Sequence, residues 1–443
     1  MQDVQTLTLN EGQALASEGF FEFLLGPEKE LNISGAGGVG KTFLLGHLID
    51  EILPKYFDTC KMMGVEPEYS SVHMTATTNK AAEVLGQQTG RPTSTVHSFF
   101  GLKVVDDYKT GESKVSKSTS WTVYSNIILI IDESSMIDRQ LYEFIMEGTC
   151  KSKVVYVGDK NQMAPVKETL SPVYKRVGIP MFELLEPMRT MIPELHALNT
   201  QCRDTVESGE NSMGIFDFKP IKIVPGIIDW LSDEQFQDEI DTRFADPSHD
   251  NVILAYRNTR VVQFNDYVRQ LRGLPTHFTA GESLVSNSAP RFGKFSLSVE
   301  DEIRILSMQD EVQEFVISEE ANISTPVRYA LVENSFGEQC NIPIPMDTGH
   351  VAELIKYFKK IKKWHAYYYM RNNLPDLRQR DARTVYKIQG SSVAGTVYID
   401  ASDLSTCHNP SQAARQIYVA VSRARMRVAF HGVLADKYGG LIL

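Results

Sequence analysis

The chain is poor in the features that define several protein classes. Its 443 residues include only five cysteines, none of which is spaced as CxxC. An odd, scattered set argues against structural zinc and a disulfide framework, and it indicates a reducing cytoplasm. The longest relevant apolar run, Ile127–Ile131, is too short to span a bilayer. The first thirty residues lack a basic start and an apolar core. We therefore expect a cytoplasmic protein without a targeting segment or membrane association.

Positive charge is also in deficit, since the net charge is −11. This balance discourages nucleic-acid binding at first sight, because phosphate contacts depend on local positive charge. The charge is uneven, however: residues 229–246 are rich in acids, and residues 356–387 are rich in lysine and arginine. An acidic total therefore does not exclude a basic groove. We interpret the acidic run as the solvated face of a helix that buries Phe236, Ile240 and Phe244.

The sequence does contain a phosphate-binding pattern. Residues 35–42 fit GxxxxGK[ST] at every fixed position. In this pattern, glycine N–H groups surround phosphate oxygens, Lys41 supplies a cation for the β- and γ-phosphates, and Thr42 offers a hydroxyl to Mg²⁺. A strand at 31–34 precedes the loop, and a helix follows that we expect Pro54 to end. The predicted nucleotide-binding residues of this loop are Gly35, Gly37, Gly38, Val39, Gly40, Lys41 and Thr42.

Strand and helix patterns divide the chain into two α/β regions. From residue 30 to 170 they alternate as in a parallel sheet covered on both faces, apart from a β-hairpin excursion at 99–122. Residues 273–345 have the short alternating strands of a small β-barrel, and residues 349–373 form a basic, aromatic helical hairpin. We therefore predict a first domain at 1–170, with 99–122 inserted in it. A second domain comprises 171–272 and 381–443, with 273–380 inserted in it.

Two polar segments follow predicted central strands of the first domain. Asp132 and Glu133 end an apolar strand, where one carboxylate would hold Mg²⁺ and the other would orient or deprotonate the attacking water. The alternative is a surface turn after a core strand. Gln162 follows Gly158 and Asp159, which places an amide where a γ-phosphate could be sensed. An ordinary turn is the alternative there.

Two arginines are candidates for stabilising charge during phosphoryl transfer. Arg189 follows a Glu-Pro-Met sequence, and Arg423 lies in the segment 418–425, YVAVSRAR. Phosphoryl transfer needs cations that approach the equatorial oxygens of the γ-phosphate. Taken singly, an arginine is more often a surface residue.

The ordered set of these segments resembles the superfamily-1B DNA helicases, the group of RecD, Pif1 and the phage helicase Dda, and most closely the Dda-like proteins. The resemblance spans essentially the whole chain, and it is thinner over 200–380. It depends on the phosphate loop, Asp132-Glu133, Gln162, Arg189, the segments 75–82 and 94–98, Thr384-x-x-Lys387-x-Gln389-Gly390, and 418–425. It implies a fold of two RecA-like parallel-sheet domains. The hairpin of the first would be a strand-separating pin, and the insert of the second an SH3-like β-barrel with a helical tower.

The resemblance also implies roles for individual residues. Gln13 should read adenine through its amide, and Gly390 should belong to the nucleotide site. Small polar groups suit contact with a DNA backbone without sequence choice. The implied DNA-binding residues are Thr77, Asn79, Thr95 and His97 in the first domain and Asn258, Thr384 and Tyr386 in the second. Any one of these could instead be a helix cap or turn residue, Asn79 in particular. The ring of Tyr386 could stack on a base or pack in the core.

The hairpin and the basic segment complete the expected machinery. Tyr108 is the residue predicted at the tip of the pin. The basic stretch at 359–369 mixes cations with aromatic rings, as single-strand grooves do. Its helical spacing also suits a hairpin that packs its rings inward, and we favour this packing role, as a tower that braces the pin.

Together these features predict an ATP-dependent DNA helicase that uses ATP and Mg²⁺, moves along single-stranded DNA, 5′→3′ by resemblance, and unwinds duplexes. One alternative is a translocase that displaces proteins from single strands without unwinding. Another is a nucleotide switch that is independent of DNA. The expected partners are single-stranded and forked DNA, with single-strand-binding or replication proteins as further candidates. We expect a monomer that is encoded by a phage and works in the host cytoplasm.

Overall fold

The computed structural model describes residues 9–165, 168–186, 192–212, 214–318 and 322–440. The first domain is built on a six-stranded sheet in which every neighbouring pair is parallel. In spatial order its strands are Met181–Leu184, Glu30–Gly35, Lys153–Gly158, Ile127–Asp132, Ser71–Ala76 and Thr93–Thr95. Its helices are Glu11–Leu25, Lys41–His47, Leu53–Met62, Asn79–Thr89, Val96–Phe100, Arg139–Gly148 and Pro172–Lys175. Apolar side chains from both faces of the sheet are buried, as expected for a covered parallel sheet.

The first sheet extends beyond the domain boundary predicted at residue 170. Strand Met181–Leu184 pairs in parallel with strand Glu30–Gly35, next to the phosphate-binding pattern. The first domain therefore continues at least to residue 184. A short strand after a long connection carries no local sign of its sheet, since only its distant pairing partner decides which domain it joins.

The helix that follows the phosphate loop does not end at Pro54, so that prediction is wrong. Helix Lys41–His47 continues through a π-helical turn at Leu48–Ile52 into helix Leu53–Met62. Pro54 lies in the first turn of this last helix. A proline there needs no N–H donor, and the wider turn before it accommodates the altered hydrogen bonding.

The second domain is built on a five-stranded parallel sheet. Its strands, in spatial order, are Ile228–Leu231, Arg427–His431, Thr396–Asp400, Val252–Ala255 and Ala382–Thr384. Its helices are Pro193–Asn211, Asp233–Arg243, Asn258–Leu271, Ala401–Leu404 and Pro410–Ser422. The pairing of Ala382–Thr384 with Val252–Ala255 joins the segments on either side of the insert, as predicted. The acidic helix buries Phe236, Ile240 and Phe244, which confirms its predicted apolar face.

The insert of the second domain consists of an antiparallel sheet and a pair of helices. The sheet contains Ser283–Ser286, Glu302–Met308, Gln313–Ser318, Ile323–Asn334, Gln339–Pro345 and Leu377–Arg378. Two further short strands, Arg291–Phe292 and Phe295–Ser296, pair with each other. The helices are Thr348–Lys360 and Trp364–Asn373, where the helical hairpin was predicted. The SH3-like character of the sheet stays a prediction. Within the described ranges, no helix is long and apolar enough to cross a bilayer.

A buried ion pair closes the neck of this insert. Arg272 precedes the insert and Asp381 follows it, and Arg272 Nη2 donates to Asp381 Oδ1 over 2.7 Å. His249 Nε2 lies 2.9 Å from the same carboxylate oxygen. The carboxylate of Asp381 is almost fully buried. The two ends of a long insert are therefore held together where it leaves the second domain.

Candidate nucleotide site and nucleic-acid surface

The phosphate-binding pattern forms the turn between strand Glu30–Gly35 of the first sheet and helix Lys41–His47. Gly38 and Gly40 have φ angles of 88° and 78°, in the left-handed region that favours glycine. The ammonium of Lys41 donates to the carbonyl oxygens of Gly35, over 2.7 Å, and Ala36, over 3.0 Å. The remaining predicted residues of this turn are Gly37, Val39 and Thr42. The cradle predicted from the sequence is thus formed, and Lys41 is positioned inside it.

Gln13 lies against this loop, as expected for a residue that contacts a bound nucleotide. Its side chain is fully buried, and its Nε2 donates to the carbonyl oxygen of Val39 over 3.3 Å. Its Oε1 accepts from the N–H of Asn10, while the Asn10 side chain accepts from the N–H of Gln13. This reciprocal cap fixes the start of helix Glu11–Leu25 beside the loop. Recognition of adenine by Gln13 stays a prediction.

Asp132 and Glu133 lie at the same edge of the sheet as the loop, because parallel strands end on one side. Burial and the negative charge of Glu133 raise the pKa of Asp132 to about 6, and the charge of Lys41 opposes this rise. Glu133 itself has φ 52°, in the left-handed region. This conformation costs a residue with a side chain about 1–2 kcal/mol. Such strain is found at functional sites, where the surrounding fold holds a side chain in place.

The residues at this edge fit a magnesium ion. A hydroxyl from Thr42 and a carboxylate from Asp132 are the oxygen donors that Mg²⁺ prefers. Burial and, after it, the charge of Glu133 raise the pKa of Asp132, and a divalent cation would favour the charged carboxylate. When bound, Mg²⁺ would supply charge neutralisation for the β- and γ-phosphates.

Gln162 is held between the two domains. Its side chain is buried and its Nε2 donates to Asp159 Oδ2 over 3.2 Å. Its Oε1 is a buried acceptor with no hydrogen-bond partner in the part of the chain that is described. From the second domain, the hydroxyl of Tyr418 donates to Asp159 Oδ2 over 2.6 Å, and Arg415 Nη1 donates to the Gln162 carbonyl over 2.5 Å. A buried acceptor left open at a cleft is suited to a ligand or a water molecule.

Arg415 and Tyr418 were not predicted as functional residues. Both lie on helix Pro410–Ser422, whose residues 413–422 are all buried. The available signal was an arginine and a tyrosine three residues apart among the alanines, valines and isoleucine of this helix, since such groups need polar partners when buried.

Arg423 follows this helix and is 2% exposed, so the alternative of a surface arginine is wrong. Its Nη1 donates to the carbonyl oxygen of Ser391 over 3.1 Å, and its Nη2 donates to Ser422 Oγ over 2.7 Å. Burial lowers the pKa of Arg423, and attraction to Glu133 of the first domain acts against this effect. The second domain therefore places a buried cation within electrostatic reach of the predicted catalytic carboxylate. The other candidate, Arg189, lies outside the described residues.

Gly390 faces the same carboxylate from the second domain. A Cβ atom on Gly390 would lie 3.4 Å from Glu133 Oε1. Beside it, Gln389 Nε2 donates to Ser135 Oγ, just after Glu133, over 3.2 Å. The segment predicted to serve the nucleotide site thus contacts the acidic end of the first domain's central strand.

Of the residues predicted to contact DNA in the first domain, Thr77 is linked directly to the nucleotide site. Its hydroxyl donates to the carbonyl oxygen of Glu133 over 3.1 Å. The hydroxyl of Thr95 accepts from the N–H of Ser98 over 3.1 Å and caps a short helix, which was the alternative reading. His97 is partly exposed, and desolvation lowers its pKa.

Asn79 is not the cap of the helix it begins. The cap is Thr78, whose side chain accepts from the N–H of Ala81 over 3.2 Å. The amide of Asn79 instead donates to Ser298 Oγ, in the insert of the second domain, over 2.6 Å. Asn79 is therefore exposed on a surface that the insert approaches.

The predicted DNA residues of the second domain separate into two environments. Asn258 and Thr384 line one cleft, where Asn258 Oδ1 accepts from Arg378 Nη1 over 3.2 Å. Tyr386 packs against the core of the second domain, and its hydroxyl accepts from Gln412 Nε2 over 3.0 Å. The ring of Tyr386 is thus partly buried against the core, and its contact with DNA stays a prediction.

The predicted pin is an antiparallel hairpin of Leu102–Asp106 and Ser113–Lys117. At its tip, the ring of Tyr108 stacks on the ring of His365 in the helical pair. A Cβ on Gly111 would lie 2.3 Å from the ring of Trp364, so the two surfaces touch closely. Trp364, Tyr367 and Tyr368 of the basic segment therefore pack, as favoured from their spacing, whereas Tyr369 is 45% exposed. The helical pair contacts the hairpin.

Comparison with known proteins agrees with this arrangement. Residues 25–168 match the model of an AAA domain, and residues 381–430 match that of a UvrD-like helicase C-terminal domain. The ATP-dependent DNA helicase dda of Enterobacteria phage T4 is 22% identical over 286 residues, which are 62% of this chain and 60% of that protein. These matches support the resemblance of the chain to the Dda- and Pif1-like helicases of superfamily 1B. This Dda/Pif1-like chain spans less than two thirds of the curated relatives it matches.

One further sequence relative and one solved structure show how much of this chain is similar to known proteins. Uncharacterized protein R530 of Acanthamoeba polyphaga mimivirus is 25% identical over 183 residues, 38% of this chain and 36% of that protein. A crystal structure of Pif1 helicase from Bacteroides, in complex with ADP-AlF3 and ssDNA, superposes with a TM-score of 0.52 at 14% identity. The alignment covers 99% of this chain and 95% of that one. The predicted fold of two RecA-like domains is thereby confirmed.

Proposed function

We propose that this Dda/Pif1-like chain is an ATP-dependent DNA helicase that translocates on single-stranded DNA and separates duplexes. The observation that carries the proposal is the position of Arg423. Its buried guanidinium belongs to the second domain, yet it is attracted to Glu133 and Asp159 of the first. A cation placed across a cleft from a phosphate loop can respond to the γ-phosphate, and this response couples hydrolysis to domain movement.

The chain's own residues divide the chemistry between the domains. Lys41 would hold the β- and γ-phosphates, Thr42 and Asp132 would hold Mg²⁺, and Glu133 would orient the attacking water. Arg423 stabilises charge on the transferred group from the second domain. Gln162 senses the γ-phosphate through its side-chain amide. Its backbone carbonyl and the nearby Asp159 are hydrogen-bonded to the second domain, so a movement of Gln162 would reach that domain. Loss of the γ-phosphate removes an attraction that both domains share, so the cleft opens and closes once in each cycle.

The nucleotide site is connected to the predicted DNA surface by a short path. Thr77 bonds the backbone of Glu133, and Asn79 follows on the exposed start of the next helix. A change at Glu133 is therefore transmitted to groups that would hold a DNA backbone. The names of the relatives support DNA as the partner, since one is a DNA helicase and another was crystallised with ssDNA. The same proposal includes movement 5′→3′, action as a monomer and forked DNA as a substrate. It also places the chain in the cytoplasm, which is that of a host cell if the chain is phage-encoded.

The test is ATP turnover with and without a single-stranded oligonucleotide, followed by unwinding of duplexes with one tail of either polarity. We expect stimulation by DNA and unwinding from a 5′ tail. Lys41→Ala should abolish turnover and leave DNA affinity unchanged, whereas Lys61→Ala, on the exposed end of the following helix, should behave as the native chain. A rate of ATP turnover that DNA does not change would indicate a nucleotide switch. Stimulated turnover without strand separation would indicate a translocase.

A further inference from the structure

One loop of the insert contacts both domains at the predicted DNA surface. Ser298 accepts a hydrogen bond from the amide of Asn79 in the first domain over 2.6 Å. Two residues later, Glu300 Oε1 lies 3.1 Å from the ammonium of Lys387 in the second domain. Its other carboxylate oxygen lies 3.7 Å from Arg383 Nη1. A hydroxyl and a carboxylate from one short loop therefore contact side chains on both sides of the path predicted for DNA.

The cations that Glu300 contacts line the cleft that also holds Asn258 and Thr384, the two DNA residues predicted there. The cleft further contains Arg378. Guanidinium, ammonium, amide and hydroxyl groups side by side are the set that proteins use to bind backbone phosphates. Carboxylates of the chain itself oppose this positive charge. Glu300 lies next to Arg383 and Lys387, Glu302 lies 3.9 Å from Arg383, and Asp376 pairs with Arg378 over 3.2 Å.

The contact of Glu300 is partly buried and imperfect. Its side chain is 15% exposed, and those of Lys387 and Arg383 are 23% and 19% exposed. Its Oε2 accepts no hydrogen bond within the described ranges. The backbone of Glu300 has φ 71°, a left-handed conformation that is unfavourable for glutamate. The loop thus holds a carboxylate at the cations without satisfying it fully. A backbone phosphodiester carries the same single charge and is not fixed to this loop, so it can form the closer charge-assisted hydrogen bonds that Glu300 Oε2 lacks.

We propose that residues 298–300 form a latch in which Glu300 occupies the place of a backbone phosphate and must be displaced when a single strand binds. The inference rests on the proposed function, because it requires a nucleic-acid backbone as the ligand of this cleft. The latch lowers affinity for single strands by making Arg383 and Lys387 exchange one anion for another. It also gives the insert a role in controlling entry of the strand.

The test is binding of a fluorescent oligothymidine to the full chain at low salt, measured by anisotropy. Glu300→Gln keeps the size of the side chain and removes its charge, so we expect roughly 3- to 10-fold tighter binding, the range of one ordinary net hydrogen bond. The oligonucleotide concentration that half-maximally stimulates ATP turnover should fall by a similar factor. Glu353→Gln is the matched control, since it makes the same charge change on an exposed site of the helical pair.

The possible outcomes distinguish failure of the latch proposal from failure of the proposed helicase function. Equal affinity of Glu300→Gln and the native chain, or an equal gain in Glu353→Gln, would overturn the latch and leave the helicase proposal intact. Failure of every variant and of the native chain to bind any oligonucleotide would overturn the helicase proposal itself. Ser298→Ala, which removes only the contact with Asn79, provides a second measurement if Glu300→Gln does not fold. It should tighten binding by a smaller factor, and an unchanged affinity in that variant would then count against the latch.

Discussion

The ring of Tyr108 stacks on the ring of His365, with their centroids 4.6 Å apart and their planes inclined by 28°. This contact joins the hairpin inserted in the first domain to the helical pair inserted in the second. Asn372 adds a hydrogen bond to Asp106 at the base of the turn, over 3.3 Å. An isolated two-stranded hairpin is marginally stable in water. The helical pair therefore supports the hairpin, as the predicted role of a strand-separating pin would require.

Loosening this contact should uncouple strand separation from ATP turnover. We expect His365→Ala to reduce the unwinding rate of a tailed duplex several-fold, because the hairpin loses its support, while turnover stimulated by single strands stays unchanged. Both rates should be measured on the same preparation. His350→Ala, an exposed histidine of the same helical pair, is the control and should match the native chain. Equal losses of unwinding and turnover in His365→Ala would contradict a role confined to the hairpin.

The buried position of Arg423 makes its removal a test of catalysis from the second domain. Arginines that stabilise charge in phosphoryl transfer typically contribute about 10³–10⁵ in rate. We expect Arg423→Ala to lower kcat by a factor in this range and to change nucleotide affinity little, since the positive charge matters most in the transition state. Steady-state turnover and binding of a fluorescent nucleotide would give the two quantities.

The control for this prediction is Arg425→Ala, two residues along and exposed. It should retain turnover. Because Arg423 is fully buried, thermal unfolding of both variants must accompany the kinetics, and a folded Arg423→Ala with a defect in affinity alone would refute the catalytic role.

The sequence predicted features that depend on local patterns. The phosphate loop, the carboxylates after an apolar strand, and the acidic helix all have spacings that a single segment carries by itself. The strand Met181–Leu184 has no such pattern, because its place depends on pairing with residues far away in the chain. Pro54 misled the prediction for a related reason: the π-helical turn that accommodates it leaves no recognisable mark in the sequence.

The site was predicted unevenly for the same physical reason. Lys41, Asp132 and Gln162 belong to motifs of the first domain, and they meet at one edge of its sheet. The contacts of Arg415 and Tyr418 with the first domain depend on how the two domains pack, which no local spacing reveals. The position of Glu300 among the cations of the second domain is likewise set by the insert's approach.

The salt dependence of DNA binding should report on the backbone contacts proposed here. Each phosphate neutralised by a lysine or arginine releases counterions, so the logarithm of the affinity should fall linearly with the logarithm of salt concentration. We expect a steep fall for an oligothymidine despite the chain's net charge of −11. Anisotropy titrations between low and physiological salt would measure the slope. A flat profile would exclude tracking of the backbone by charge.

The ion pair at the neck of the insert should make stability depend on pH. Burial alone would raise the pKa of Asp381, but hydrogen bonds from His249 and Arg272 bring it below its usual value. The folded chain therefore binds the proton less readily than the unfolded chain. The stability that Asp381 contributes is present above the unfolded pKa of about 3.9 and is lost as the pH falls through the lower folded pKa.

Asp381→Asn should accordingly destabilise the chain at neutral pH by about 3–5 kcal/mol, because it leaves the buried Arg272 without its counter-charge. The difference from the native chain should shrink as the pH falls from about 4, where the carboxyl of the unfolded chain takes up a proton, through the lower pKa of the folded chain. Urea unfolding at neutral and acidic pH would measure both differences. Asp310→Asn, at an exposed site of the insert, should show neither effect. A destabilisation of Asp381→Asn that is the same at both pH values would mean that shape, rather than charge, holds the neck closed.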